Sequence, residues 1–288
     1  MHPLVSIIIP TYNRSQLIHQ RALKSALAQR YANKQIIVID DGSTEPYNIQ
    51  LPAWYYKPWE QNKGGSAARN YGVTQAKGTY IVFIDDDNIL DPLFLMKTVP
   101  ILEGEDGHLY EAVSTGRKVV YDDYAVDVLP RETDFPAIDW GWLLRREVFD
   151  KIRYDESIWG DEDADFGIQF MKAGFEYTTT DYILGAAYAL REQDATANTL
   201  PTVRRLRGLR NFLDKNLSEY TDPNERRYIL RLAGRNYYRG GHRLQGLRYF
   251  WQSFRAQPGL KSFSELCAIL CGWYTYDKYM SYYERRRV

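Results

Sequence analysis

Three consecutive aspartates, Asp85, Asp86 and Asp87, follow an apolar run in "YIVFIDDDNILDP", residues 80 to 92. Like charges side by side repel, and a carboxylate at the end of a buried strand gives up solvation unless something positive compensates it. The residues predict a compensating cation that is not part of the sequence. On an extended chain alternate side chains share a face, so Asp85 and Asp87 are expected to point one way and Asp86 the other. Two carboxylates on one face make a hard-oxygen site. Mg²⁺ or Mn²⁺ takes such ligands and completes its shell with water and the phosphate oxygens of a substrate. The plainer alternative, that the acids cap a helix at "NILDPLFLMK", accounts for one aspartate and leaves two over.

Two further acidic boxes stand in the same half of the chain. "QIIVIDDGS" ends a strand in Asp40 and Asp41, where a carboxylate accepts hydrogen bonds from a nucleobase ring N–H or from ribose hydroxyls, or else simply shapes the turn before Gly42. "WGDEDADF" opens a helix with Asp161, Glu162, Asp163 and Asp165, any one of which also suits a helix N-cap. Tyr12, at the end of the first strand, offers a ring to stack on a base. The loop that follows, "PTYNR", lacks the glycines of a dinucleotide fingerprint and the GK[ST] of a phosphate loop, which removes those two readings.

The elements that must position these acids are legible as alternation. "VSIIIP", "QIIVIDD", "WYYKP" and "TYIVFID" read as strands. Helical spacing in "LIHQRALKSALAQRY" and in "GGSAARNYGVTQAKG", the latter closed by Gly78, separates them. Such alternation implies a largely parallel sheet with an α/β architecture and a ligand crevice beyond the carboxyl ends of the strands. Thr11, Tyr12, Asp40, Asp41, Asp85 and Asp87 all fall there. Residues 104–136 read as a variable surface segment with one strand, "RKVVYDDYAV", and "IDWGWLLRREVFDKI" returns to order. Beyond residue 200 the pattern is helical, with Asp222 as N-cap, Pro223 at the first helical position, Gly240 as stop and Pro258 as breaker, and with no long repeat.

Composition bounds the rest. The 288 residues carry zero formal net charge, yet residues 1–200 sum to −11 and residues 201–288 to +11. That split predicts an acidic, cation-using body and a basic tail that meets a negative partner, or else two parts that attract one another. Cys267 and Cys271 form no CxxC pair and have no histidines at zinc spacing, so a reducing compartment without structural zinc is expected. The N-terminal apolar run is too short for a signal peptide, and no uninterrupted apolar span of about 18 residues occurs. A soluble cytoplasmic protein follows as the expectation.

Taken in order, "VSIIIPTYNR", "IIVIDDGS", "NKGGSAARNYG", "YIVFIDDDN", "LLRREVFDKI" and "WGDEDADF" resemble the family 2 glycosyltransferases of the inverting GT-A type, over roughly residues 4 to 195. The resemblance implies a GT-A type α/β fold, with a mixed, mostly parallel sheet flanked by helices and a Rossmann-like nucleotide-binding half. A catalytic domain over 1–200 is then followed by a basic, aromatic-rich helical region over 201–288. It further implies that Asp41 contacts the base of a nucleotide-sugar donor, expected to be a UDP-sugar. Pro10, Thr11 and Tyr12 would line the nucleoside pocket, with Gly64, Arg69 and Asn70 nearby. Asp87 would hold the divalent metal, Mn²⁺ or Mg²⁺, with Asp85 as its partner, and Asp85 or Asp86 would face the ribose. Glu162 and Asp163 correspond to the late acidic pair of the family, whose second member is the general base, with Asp161 and Asp165 as rivals. Many relatives carry a histidine or basic residue after that helix; here "YALREQDATANT" offers Arg191 to the diphosphate instead.

Trp140, Trp142 and Trp159 flank the expected acceptor side, where aromatic faces suit sugar C–H surfaces and core packing is the plainer fate. The tail interleaves arginines with large aromatics in "RNYYRGGHRLQGLRYFWQSFR". That composition suits an anionic membrane surface on the inner face, a bundle on the catalytic domain or a homodimer contact; with a lipid-linked glycan as acceptor, the membrane is preferred over RNA and no nucleic-acid partner is expected. Two rival functions are a sugar-phosphate nucleotidyltransferase, which would need a glycine-rich basic loop after the first strand, and a non-catalytic nucleotide-sugar or glycan-binding module, which would have lost its acids. Polysaccharide biosynthesis is the expected setting.

Overall fold

The computed structural model describes residues 2–44, 53–105, 107–121, 124–130, 137–188 and 203–258. They fall into two compact units, Met1–Asp194 and Ala195–Val288.

In the first unit, strand β1 (Val5–Thr11) sends Val5, Ile7 and Ile9 into one apolar layer and Ile8 into the other. The same two-residue alternation divides β2 (Lys34–Asp40), with Ile36 and Val38 against Ile37 and Ile39. It also divides β4 (Tyr80–Phe83), with Tyr80 and Val82 against Ile81 and Phe83. Strands apolar on both faces need a layer of helices on each, which is the reason for a parallel, three-layer arrangement. Each fully buried isoleucine contributes about 1.5–3 kcal/mol.

One layer is closed by α1 (Ser15–Gln20), α2 (Ala22–Leu27) and α4 (Phe94–Leu102), through Ile18, Leu23, Ala26, Phe94, Leu95 and Val99. The other is closed by α3 (Gly65–Gln75), α5 (Val148–Lys151) and α6 (Glu162–Lys172), through Ala68, Val73, Phe149, Phe166 and Phe170. At Gly72 a Cβ would stand 2.4 Å from Ile8 Cγ2, so only glycine lets α3 lie this close to β1.

Among the described residues nine strands form one sheet in the order β3-β2-β1-β4-β8-β6-β9-β5, with β7 on β6. The members not yet given are β3 (Trp54–Tyr56), β5 (Ile89–Leu90), β6 (Ala112–Val120), β7 (Ala125–Val128), β8 (Trp142–Arg145) and β9 (Tyr177–Tyr188). Strands β3, β2, β1 and β4 run parallel, and β8 joins β4 antiparallel. The chain leaves β1 toward β2 on one side and toward β4 on the other, which opens a crevice at the carboxyl ends of β1, β2 and β4.

Several expectations need correction. The single helix expected over residues 17–31 is two, broken at Arg21, whose backbone leaves the helical region. Helix α3 ends at Gln75, before Gly78, and Gly78 instead lets the backbone approach Leu4 and Ser6 closely. The segment "RKVVYDDYAV" is the return of a hairpin, β6 into β7, rather than one strand. Strand β9 was not expected at all: its polar run "TTTDY" hides a twelve-residue strand.

The second unit contains α7 (Val203–Asn216), α8 (Pro223–Arg239) and α9 (Arg243–Ala256). Asp222 caps α8 as expected, accepting from Asn224 N at 2.8 Å and Glu225 N at 3.0 Å. Leu230, Ala233, Gly234 and Tyr237 of α8 and Gly246, Tyr249, Phe250 and Ser253 of α9 are buried. A Cβ at Gly234 would press on Phe250 at 2.9 Å, and one at Gly246 on Gly234 O at 2.9 Å, so the two glycines set how closely α8 and α9 meet. Among the described residues no helix is long and apolar enough to cross a membrane.

Candidate active site

The cations that hold the aspartate triplet belong to the chain. Arg14 Nη1 lies 2.9 Å from Asp86 Oδ1 and 2.9 Å from Asp87 Oδ2, and Arg69 Nη2 lies 2.9 Å from Asp85 Oδ1. This corrects the expectation of an external compensator alone. It also corrects the alternation: β4 ends at Phe83, residues 86–87 form a turn, and Asp86 and Asp87 share Arg14 while Asp85 turns to Arg69. Nor do the acids cap α4, because β5 intervenes and Asp91 turns the chain into that helix.

Asp86 is buried and accepts from Thr11 Oγ1 at 2.8 Å. Burial pushes its carboxyl up to about 6, against the pull of Arg14 and Thr11. Asp87 is raised by burial and then by the neighbouring charge of Asp85. Pro10 and Thr11 complete the end of β1, and Tyr12 beyond it is 41% exposed, leaving a ring face open.

Asp41 is an organiser of its wall. Its oxygens accept from Trp59 Nε1 (2.6 Å), Asn62 Nδ2 (2.7 Å), Lys63 N (2.8 Å) and Gly64 N (2.7 Å). A carboxylate offers about four acceptor sites, so the loop 59–64 takes up the side chain that was expected to read a base. Replacing Asp41 by Asn would face one of these pairs of donors with an NH₂ group. We expect a loss of about 2–3 kcal/mol in urea unfolding, with a smaller loss for Asn62→Ala.

Gly64 has φ +104°, and a Cβ there would meet Trp159 Cζ2 at 2.5 Å. Trp159 therefore lies on the loop that Asp41 holds, apart from the other two tryptophans. Asn70 clamps the segment before α6, donating to Tyr154 O at 2.9 Å and accepting from Tyr154 N at 3.1 Å.

Arg69 joins the first acidic box to the last. Besides Asp85 it meets Glu162 Oε1 at 3.5 Å, and its guanidinium stands 5.3 Å from the centre of the Tyr154 ring. Asp163, one residue on, is held by its backbone carbonyl accepting from Ile138 N at 3.1 Å, while its side-chain Oδ1 is enclosed and has no hydrogen-bond partner. Burial holds the Asp163 carboxyl well above the ordinary carboxylate range; Arg69 opposes this, and Glu162, Asp139 and Asp85 add to it. Of the rivals, Asp165 is fully buried and accepts from Gln169 Nε2 at 2.7 Å, which gives it a structural use. Asp161 is the residue before α6 and its side chain makes no capping bond.

Arg14, Asp139 and Tyr154 were not singled out in the sequence. Arg14 closes the quoted "PTYNR", and Asp139 sits in "IDW", with nothing local to separate either from a surface charge. Asp139 pairs with Arg117, and both line an open cleft of about 200 Å³ together with Ser114, Thr115, Trp140 and Trp142. Arg191 and the two cysteines lie outside the described residues.

Burial pushes the Asp139 carboxyl up to about 6, with Arg117 opposing and Asp85 adding to the rise. Between its ordinary value of 3.8 and about 6, the folded chain keeps a proton that the unfolded chain has lost. That contribution to stability is full at the acid end and is lost as pH rises through the window. Urea unfolding from about pH 4 to about pH 6 is expected to show wild type losing stability relative to Asp139→Asn.

Among the described residues no group of three His, Cys, Asp or Glu forms a metal-ligating array. Asp85 and Asp87 nevertheless fit a hard divalent cation. They are two oxygen donors close enough for one to raise the other, each partly exposed, and Mg²⁺ commonly takes only one or two protein carboxylates. In all, Asp85, Asp86, Asp87, Asp139, Glu162 and Asp163 face Arg14, Arg69 and Arg117, an excess of carboxylates over guanidiniums.

Residues 6–125 match the family described as glycosyl transferase family 2. The likeness to glycosyltransferase family 2 therefore covers the first-unit strands β1, β2 and β4 and the aspartate triplet. The chain is similar to the glycosyltransferase GlyG of Streptococcus pneumoniae, 27% identical over 198 residues that make up 57% of this chain and 64% of that relative. It is also similar to the glycosyltransferase EpsJ of Bacillus subtilis, 29% identical over 229 residues, 70% of this chain and 64% of that one. The chain thus spans just under two thirds of either relative. The crystal structure of S. aureus TarS 1–349 superposes with a TM-score of 0.58 at 17% identity, over 88% of this chain and 81% of that one. The same protein in complex with UDP-GlcNAc gives 0.54 at 17% identity, over 91% and 78%. At that identity the likeness establishes the fold, which is of GT-A type.

Proposed function

We propose that the chain is a metal-dependent inverting glycosyltransferase that moves a sugar from a nucleotide-diphosphate donor, a UDP-sugar, to a hydroxyl of a glycan or glycolipid. The observation that carries this is the enclosed, unpartnered Oδ1 of Asp163, set among Arg69, Glu162, Asp139 and Asp85. TarS, the fold neighbour, is described in complex with UDP-GlcNAc and with UDP, which supports a UDP-sugar as donor.

In this reading Tyr12 stacks on the base, and Asp41 meets the base ring N–H by exchanging the side-chain amide of Asn62 for it, the backbone donors of Lys63 and Gly64 staying in place. Asp85 and Asp87 would hold the divalent cation, whose charge would offset that of a departing diphosphate. Asp163 Oδ1 takes the proton from the acceptor hydroxyl as that oxygen forms its bond to the anomeric carbon, on the face opposite the leaving group. A carboxylate with raised proton affinity suits that task. Trp140, Trp142 and Asp139 form the acceptor cleft.

The nucleotidyltransferase reading fails on the loop after β1, where Arg14 is engaged with Asp86 and Asp87 and no glycine-rich cradle exists. A pure binding module would have no use for an unpartnered, proton-holding Asp163. The test is a panel of nucleotide sugars with Mn²⁺, read by thermal stabilisation and by slow donor hydrolysis. Stabilisation by one UDP-sugar, dependent on metal and weakened by Asp87→Asn, is the expected result. If no nucleotide sugar stabilises the chain with metal present, the reading is lost.

A further inference from the structure

Helix α9 buries Gly246, Tyr249, Phe250 and Ser253, and turns a different line of residues outward. Leu244, Arg248, Trp251 and Arg255 are exposed and follow at intervals of four, three and four, so they share one face of the helix. Leu244 is 84% and Trp251 50% exposed, and the Trp251 ring stacks on Phe254 at 5.5 Å. Arg243 adds a further exposed guanidinium at the start of the helix.

The helix contains no acidic residue, and residues 203–258 carry thirteen Arg and Lys against four Asp and Glu. Arg243, Arg248 and Arg255 have no acidic partner among the described residues. The outward face of a helix pair held by its own glycines has no structural need for a tryptophan and a leucine. Placing them in water is unfavourable unless something covers them.

We propose that this face of α9 is a docking surface for an anionic lipid bilayer. The arginines meet headgroup phosphates, while Trp251 and Leu244 enter the interfacial layer, where an indole is at home. Charge and pattern both select this occupant. On this face every exposed apolar side chain is flanked by arginine within one turn and no acidic residue interrupts the pattern. A bilayer surface accepts that mixture over any length, since it is negative at the headgroups and apolar just beneath.

The inference rests on neither the donor nor the base, and its test needs no sugar nucleotide. The full chain is mixed with vesicles of phosphatidylcholine alone, or of phosphatidylcholine with phosphatidylglycerol, and floated through a density gradient at low and high salt. Wild type is expected to float with the anionic vesicles only, and less so at high salt. Arg248→Gln and Arg255→Gln should each weaken partitioning roughly fivefold, and Leu244→Ala with Trp251→Ala should abolish what remains at moderate salt. These side chains are exposed, and unchanged circular dichroism melts verify the fold of each variant. No flotation with anionic vesicles, equal flotation with neutral ones, or variants that float like wild type would each overturn the proposal. So would light scattering that finds a dimer of wild type which Trp251→Ala dissociates, because the face would then be occupied by a second copy.

Discussion

Replacing Asp163 by Asn is expected to lower sugar transfer by about 10²–10⁴-fold while leaving UDP-sugar binding intact. The substitution keeps shape and removes the proton-accepting oxygen. Its effect should therefore fall on kcat, with little change in the donor concentration that half-saturates the enzyme. The pH profile supplies a second readout. Because burial and three neighbouring acids hold the Asp163 carboxyl above the ordinary range, transfer should rise with pH on a limb displaced upward from that of a typical carboxylate. Asp163→Asn should lack that limb, and Asp165→Asn should keep it. Equal transfer by Asp163→Asn and wild type would remove Asp163 as the base.

The second large effect concerns Arg69, which serves Asp85 and Glu162 at once and lies among Asp163 and Tyr154. Its guanidinium is buried at the meeting of two acidic boxes, so Arg69→Met leaves carboxylates facing one another without compensation. We expect a loss of about 3–5 kcal/mol, measured by urea unfolding without added metal. The loss should shrink when Asp85→Asn is added, since the double variant removes both a charge and its unmet partner. Additivity to within about 0.3–0.5 kcal/mol would show that the two residues do not interact. A structural role alone would be rescued in stability by the double variant without recovery of donor binding, which separates the two uses of this arginine.

Much of the first unit could be read from the chain because its signals are local. "VSIIIP" and "QIIVIDD" are continuous apolar runs, and a strand buried on both faces has no other pattern to show. Asp222, Pro223 and Gly240 marked the ends of α8 because caps are chemical requirements of a single helix. The failures are equally physical. Strand β9 is polar over "TTTDY", and its partners are β6 and β5, far away in the chain, so its state is decided by pairing rather than by its own composition. The direction of the three aspartates depended on where β4 stops: past Phe83 the chain leaves the strand and turns at residues 86–87, so the alternation of an extended chain no longer assigns their faces. Arg14 and Asp139 carry no motif. Their importance comes from what stands opposite them across the crevice, which one sequence does not record.

The loop 59–64 acquires its shape from Asp41, through two backbone and two side-chain donors drawn to one carboxylate. Fixing a residue costs about 1–2 kcal/mol of conformational entropy, and here that ordering is completed when the chain folds rather than when a ligand arrives. A molecule that meets this wall finds its backbone already set by the Lys63 and Gly64 donors and has only the Asn62 amide to displace, so little ordering is left to the moment of association. The same carboxylate thus makes the wall a template whose form is inherited from folding.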